Sequence, residues 1–341
     1  MENKIEIEEF SSLLAESKRI VLIGHINPDG DCIGSIIGLM CFLKEAGLAV
    51  EVVIPNNYPD FLSFLVNSEK IIVAKYDPAG AEKSIEAADL IICMDFNALS
   101  RIDNLGKLVE LSNSKRVLID HHPQPKGIFD MIFSDPSLSS ASELTYWMIK
   151  ELSGYFNLPI PERSRVALYT GMMTDTNNFA NSVVASTFKM ASELLEEGVD
   201  KEAIQQNVFS GFSEHRMRLM GYMLYENMKI IPDLHASVMV ITNEIKERFH
   251  FSEGDAEGFV NLGLNIKGVS VAALFTESED SVRVSLRSKG DFSVNALSRA
   301  YFNGGGHERA AGGRVKIQIS EVQKFFEISL KKFMDENNIL Y

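Results

Sequence analysis

Runs of consecutive apolar residues, separated by stretches with helical spacing, dominate the first 120 residues of this chain. RIVLIG (19–24), AVEVVIP (49–55), EKIIVA (69–74), DLIICMD (89–95) and KRVLID (115–120) are apolar on successive rather than alternate positions. That is the pattern of strands buried on both faces. Between the first two lies DCIGSIIGLMCFLKEAGL, a helix pattern that Gly47 stops. A strand, a helix and a second strand in that order form a βαβ unit, which requires a parallel sheet covered by helices. The expected fold class is α/β, with the parallel sheet in the N-terminal half.

The pattern changes further along. From Glu162 to about Ile231 the signals are mainly helical, as in STFKMASELLEEGVD and SEHRMRLMGYMLYENMKI. A second set of strands follows: HASVMVIT (235–242), GVSVAALFTES (268–278), SVRVSLRS (281–288) and GGRVKIQI (312–319). With a helix near 253–263 and another at the C-terminus, these make a small α+β domain. The expected division is 1–195, a helical connector over 196–230, and 231–341. A length of 341 residues suits two domains of ordinary size.

A net charge of −14 argues against broad binding of long duplex nucleic acid, but it leaves room for a small anionic ligand held by local cations. Three scattered cysteines make neither a disulfide framework nor a cysteine-based zinc site. No run approaches the roughly 18 apolar residues of a membrane span. The start, MENKIEIEEFSSLL, is acidic and lacks a signal-peptide pattern. A cytoplasmic protein without a membrane partner is the expectation.

Ligands of open parallel sheets gather at the carboxyl ends of the strands, and here several ends carry the same chemistry. GHINPDGDCIGS (24–35) sets His25, Asp29 and Asp31 behind the first strand. The fourth strand ends at Asp95, the fifth at Asp120, His121 and His122, and TGMMTDTNNF (170–179) adds Asp175. Taken singly, each has a plainer explanation: Asp31 as a helix N-cap, DHH as a surface triplet, DTNNF as a turn. Together they form a mixed carboxylate and imidazole set, which suits Mn²⁺ better than Ca²⁺. Asp29, Asp31, Asp95 and Asp175 would balance two divalent cations, and two metals about 3.5–4 Å apart form the clamp used for in-line attack on phosphorus.

These residues resemble the DHH phosphoesterase family. HINPDGDCIGS, MDFN, DHHP (120–123) and TDTNNF match its motifs in order over roughly the first 190 residues, and YFNGGGHERAAGG (301–313) is similar to the GGGH motif of its common associated domain. The resemblance implies a two-ion Mn²⁺ site, with Mg²⁺ as substitute. His25, Asp29 and Asp95 would hold one ion; Asp31, Asp95, His121 and Asp175 would hold the other. Asp120 would orient an imidazole, and His122 would face the substrate phosphate. Two positions depart from the usual pattern. Asn177 stands where many relatives have glycine, and asparagine tolerates positive φ. Cys32 replaces a small apolar residue, and only packing is expected of it.

In the C-terminal domain, glycines 304–306 ahead of His307 could converge their N–H groups on an anion or simply stop a helix. Alternation in SVRVSLRS sends Arg283, Ser285 and Arg287 to one face. Solvated arginines would explain that face equally well; the resemblance favours phosphate contact by Arg287, with His307, Gly305 and Gly306 beside it. Arg101 is either a further phosphate contact or a surface salt bridge. A two-domain chain of this kind is similar to enzymes that hydrolyse short oligoribonucleotides to mononucleotides by metal-activated water and remove the 3′-phosphate of adenosine 3′,5′-bisphosphate. The alternatives are a cyclic or linear dinucleotide phosphodiesterase and a non-catalytic nucleotide-binding regulator. Exposed apolar surface on the connector helices would point to a homodimer.

Overall fold

The structure is a computed structural model that describes residues 4–67, 69–210, 212–252 and 254–339. It divides into two compact units, Met1–Gly211 and Phe212–Tyr341. The helices between 196 and 230 are shared between them.

The first unit is built on strands β1 (Ile20–Ile23), β2 (Val50–Ile54), β3 (Ile71–Val73), β4 (Leu90–Met94), β5 (Lys115–Asp120) and β6 (Met131–Ser134). They pair in the order β3-β2-β1-β4-β5-β6, every pair parallel. The first five coincide with the apolar runs. The edge strand β6 is an addition: at four residues, three of them exposed or intermediate, MIFS shows no period. Its helices are α1 (Lys4–Glu16), α2 (Gly30–Glu45), α3 (Ser63–Val66), α4 (Pro78–Glu86) and α5 (Leu105–Leu111), then α6 (Ala141–Phe156), α7 (Glu162–Asp175), α8 (Ala185–Glu196) and α9 (Lys201–Gln205). Both faces of the sheet are covered. Leu22, Val52, Ile92 and Ile119 pack with Phe10, Ile36, Ile149 and Leu168. Val21, Val53, Ile91 and Leu118 pack with Ile85, Leu105 and Val109.

Glycines set the closest helix crossing, that of α2 on α7. A Cβ on Gly34 would stand 2.6 Å from the Ala167 carbonyl and 2.7 Å from the Gly171 Cα, both backbone atoms that cannot swing away. At the near end, a Cβ on Gly30 would strike the Thr174 side chain. The absence of side chains lets the two backbones run against each other and brings the last residue of α7, Asp175, to the first turn of α2.

The second unit carries β7 (Lys229–Ile231), β8 (Ala236–Ile241), β9 (Val271–Glu277), β10 (Val282–Ser288), β11 (Gly305–His307) and β12 (Ala310–Val315). They lie in the order β11-β12-β10-β9-β8-β7, antiparallel except for β8 with β9. Its helices are α10 (Glu214–Tyr222), α11 (Asn243–Arg248), α12 (Phe259–Leu264), α13 (Val294–Tyr301) and α14 (Val322–Glu336). Val238, Phe275, Val284 and Leu286 face α13 and α14 through Leu297, Phe326 and Leu330. On the other face, Met239, Ile241, Ala272 and Leu274 are covered by Leu219, Phe259 and Val260. The last strand stops at Val315 rather than 319, because Ile319 opens the short helical turn that leads into α14. The helix expected over 253–263 is shorter and later, Phe259–Leu264. Among the described residues, no helix is long and apolar enough to cross a membrane.

Candidate active site

Strand order reverses between β1 and β4, whose continuations run to opposite sides of the sheet. That crevice is where ligands of such sheets bind. Past β1 the chain turns through Asn27, at φ +53°. Asn56 clamps the turn, accepting the Asn27 N–H at 2.7 Å and donating its amide to the Asn27 side chain at 3.0 Å. The cap of α2 is Asp29 rather than Asp31: its Oδ1 accepts the N–H groups of Asp31 and Cys32, both at 3.1 Å. Asp31 then points inward. Its Oδ2 accepts the Ala141 N–H at 2.6 Å and its Oδ1 the Ser142 N–H at 2.8 Å, so the start of α6 steadies its charge. Past β4, Asp95 takes a left-handed conformation at φ +61°, rare for a non-glycine residue. Its N–H donates to Ile119 O at 3.0 Å, which holds the β4 and β5 ends in register.

The side chains meet in two groups with one member in common. His25 Nε2 lies 3.4 Å from Asp95 Oδ2 and 3.9 Å from Asp29 Oδ1. Its other ring nitrogen is 2.9 Å from Ile26 O, which a tautomer carrying hydrogen on Nδ1 satisfies as donor. His121 Nε2 lies 3.7 Å from each of Asp31 Oδ2, Asp95 Oδ1 and Asp175 Oδ2. Asp95 therefore turns one oxygen to each imidazole. His122 Nδ1 is 2.8 Å from Asp120 Oδ1, so the imidazole that Asp120 orients is His122. Asp31 and Asp95 are buried, whereas the Asp29 and Asp175 side chains are 49% and 30% exposed. The cluster opens to solvent on their side.

So much buried acid perturbs its own protonation. Burial and the charges of Asp31 and Asp29 raise Asp95 well above the usual carboxylate range. Burial also raises Asp31, against the pull of His121. For Asp29, burial is outweighed by His25 and the Cys32 N–H, and its carboxyl is lowered. Burial works against a charged His25, but the Cys32 thiol and Asp29 beside it prevail and raise it from 6.5 to about 9. His121 is likewise raised by Asp175 and Asp31 in spite of burial. Burial keeps His122 below its usual value, although Asp120 pulls it up.

The donor chemistry fits divalent cations. Within the first unit, ligand atoms of Asp31, Asp95 and His121 lie within 4.8 Å of one another, as do those of His25, Cys32 and Asp95. Asp95 Oδ1 is buried without a hydrogen bond among the described residues, a cost that a bound cation would remove. Arg101 is exposed beside this cluster; its backbone carbonyl accepts the Ile26 N–H at 2.8 Å, and its charge acts on His25, Asp29 and His122. Asn177 has φ +48°, as its replacement of glycine requires.

In the second unit, Arg287 and His307 both pair with Ala310, from β10 on one side and β11 on the other. Residues opposite each other in antiparallel strands share a face, so the guanidinium and the imidazole flank one small alanine. Both are half-buried. The glycine run differs from expectation. Gly305 and Gly306 lie in β11, and the Gly306 N–H donates to Asn295 Oδ1 at 3.2 Å, so no nest of convergent N–H groups forms. α13 is instead ended by Asn303 at φ +49°. The glycines permit close strand packing: a Cβ on Gly304 would collide with the Gly312 carbonyl, and one on Gly306 would stand 2.5 Å from that of Ala310.

The start of α6 is the part of the site that sequence reasoning misses. Ser140 caps that helix by accepting the Glu143 N–H at 2.9 Å. The Ser-x-x-Glu spacing could have marked a helix start at 141, though nothing in it ties that helix to Asp31.

Residues 19–172 match the DHH family N-terminal domain and residues 236–332 the DHHA1 domain. The bifunctional oligoribonuclease and PAP phosphatase NrnA of Thermus thermophilus is 30% identical over 299 residues, 87% of this chain and 84% of that protein. The cyclic-di-AMP phosphodiesterase PdeA of Listeria monocytogenes is 26% identical over 93% of this chain, which spans 48% of that protein. Among solved structures, an exopolyphosphatase-related protein from Bacteroides fragilis superimposes with a TM-score of 0.89 at 38% identity, covering 97% of this chain and 98% of that one. The chain belongs to the DHH family and is a hydrolase of phosphate esters.

Proposed function

We propose that the enzyme hydrolyses short oligoribonucleotides to mononucleotides and removes the 3′-phosphate of adenosine 3′,5′-bisphosphate, in the cytoplasm and with two divalent cations. In this reading His25, Asp29 and Asp95 hold one ion and Asp31, Asp95, His121 and Asp175 the other, with Mn²⁺ the first choice and Mg²⁺ a substitute. The observation that carries it is the pair of ligand groups sharing Asp95, one oxygen toward each imidazole. The bound ions would supply positive charge for the phosphoryl oxygens and acidify water near the substrate. The chain's own residues do the rest. Asp31 is anchored by two backbone N–H groups and keeps its place as charge builds up. Asp120 fixes the His122 ring through Nδ1, and the other nitrogen, when it carries a proton, gives it to the leaving oxygen or steadies its charge. Arg287 and His307 are assigned to phosphate contact in the second unit, and Arg101 to phosphate contact in the first.

The name of the Thermus thermophilus relative supports this substrate class, and the name of the Listeria monocytogenes relative keeps a cyclic-dinucleotide reading in view. A hydrolysis panel in Mn²⁺ separates them, comparing a dinucleotide, a five-residue RNA, adenosine 3′,5′-bisphosphate, cyclic di-AMP and pyrophosphate. Preference for the first three is expected. Turnover of cyclic di-AMP or pyrophosphate alone would overturn the substrate assignment while keeping the metal chemistry.

A further inference from the structure

Cys32 does more than fill space. It is fully buried in the first turn of α2, with its Sγ against the end of β1, where a Cβ on Gly24 would stand 2.5 Å from the sulfur. That sulfur, a ring nitrogen of His25 and a carboxylate oxygen of Asp95 all lie within 4.8 Å of one another. Asp95 is itself only 2% exposed, and it turns Oδ2 toward His25 at 3.4 Å. The thiol thus adjoins a buried acid and an imidazole whose Nδ1 is engaged by Ile26 O. Cys41 and Cys93 are buried too, but neither belongs to such a group among the described residues.

We propose that Cys32 Sγ is a fourth donor to the cation held by His25, Asp29 and Asp95; the inference rests on the two-cation reading above. As the sulfur–metal bond forms, the thiol releases its proton to water and nothing is oxidised or reduced. One imidazole, two carboxylates and one thiolate make a softer set than the neighbouring one of Asp31, Asp95, His121 and Asp175. Thiolate draws Zn²⁺ and Co²⁺ ahead of Mn²⁺. The two sites are therefore unequal, with the softer ion beside Cys32.

Metal-free protein loaded with Co²⁺ tests this by absorption, independently of turnover. Wild type and Cys41→Ser should show a near-ultraviolet sulfur-to-cobalt charge-transfer band that Cys32→Ser and Cys32→Ala both lack. Zn²⁺ affinity of the Cys32 variants should fall by roughly tenfold or more, the scale seen even for groups that only orient a ligand. Cobalt bound by wild type without the band, or a band that survives in a folded Cys32→Ser protein, overturns the role of Cys32 and leaves the two-cation reading standing. If wild type takes up no Co²⁺, Zn²⁺ or Mn²⁺ at all, both fall.

Discussion

In the parallel sheet of the first unit, the reactive groups sit past the ends of β1, β4 and β5. In the mixed sheet of the second, they lie on a face, along β10 and across β12 to β11. Strand ends in a doubly covered sheet are deep, so Asp31 and Asp95 are 2% exposed and their charges interact strongly. A partly covered sheet face is shallower: Arg283 and Arg314 are exposed, and Arg287 and His307 half-buried. Buried acid suits the holding of cations and the chemistry they drive. Half-exposed base suits the gripping of an anion that must also leave. The same division predicts which kinetic constant each region controls.

The largest effect is expected at the shared carboxylate. Asp95→Asn should lower kcat by about 10³-fold or more, because one change would weaken both proposed cation sites. The metal-free variant should keep its fold, since it loses a carboxylate that burial already disfavours. Retained turnover in the metal-loaded variant would remove Asp95 from the centre of the site. A smaller and different effect is expected on the sheet face of the second unit. Arg287→Ala should raise KM about tenfold, the worth of one partly exposed charge-assisted hydrogen bond, with kcat changed no more than about twofold. A fall in kcat with KM unchanged would erase the distinction between the two regions.

The smallest effect is a pH dependence confined to the acidic site. His25 is raised from 6.5 to about 9, so its contribution to the metal-free fold is whole below 6.5 and is lost as pH rises through 9. Asp31 and Asp95, raised chiefly by burial, act with the same sign. His122, lowered by burial, opposes them, with a gain that is complete by about its unfolded value. The Tm of metal-free protein should therefore fall between about pH 7 and 9.5, and saturating Mn²⁺ should flatten that slope. A Tm that climbs over this interval would mean that the buried charges are balanced in some other way.

Much of this arrangement is legible in the residues, and the exceptions have physical causes. β1 and β4 are visible because strands buried on both faces are apolar throughout, β2 and β5 because each keeps a run of three buried apolar residues, and an aspartate ending such a run stands out. β6, β7 and β11 are too short to show a period, and Gly-Gly-His has almost no side-chain pattern to read. The crossing of α2 on α7 depends on Gly34 meeting Gly171, more than a hundred residues away, and glycine is equally at home in a turn. The plainer role of helix cap falls to Asp29 and not to Asp31, since which of two neighbouring aspartates caps is decided by backbone geometry. Cys32 is the clearest limit: a buried cysteine that packs and one that faces a ligand set are the same letter.

The most direct test of the account counts metal and turnover in one preparation. Wild type reconstituted with Mn²⁺ should hold two ions per chain and hydrolyse a dinucleotide and adenosine 3′,5′-bisphosphate. Removing the metal with a chelator should abolish both activities, and adding it back should restore them. Full turnover in protein shown to be metal-free would contradict the claim that the clustered aspartates and histidines act by holding cations.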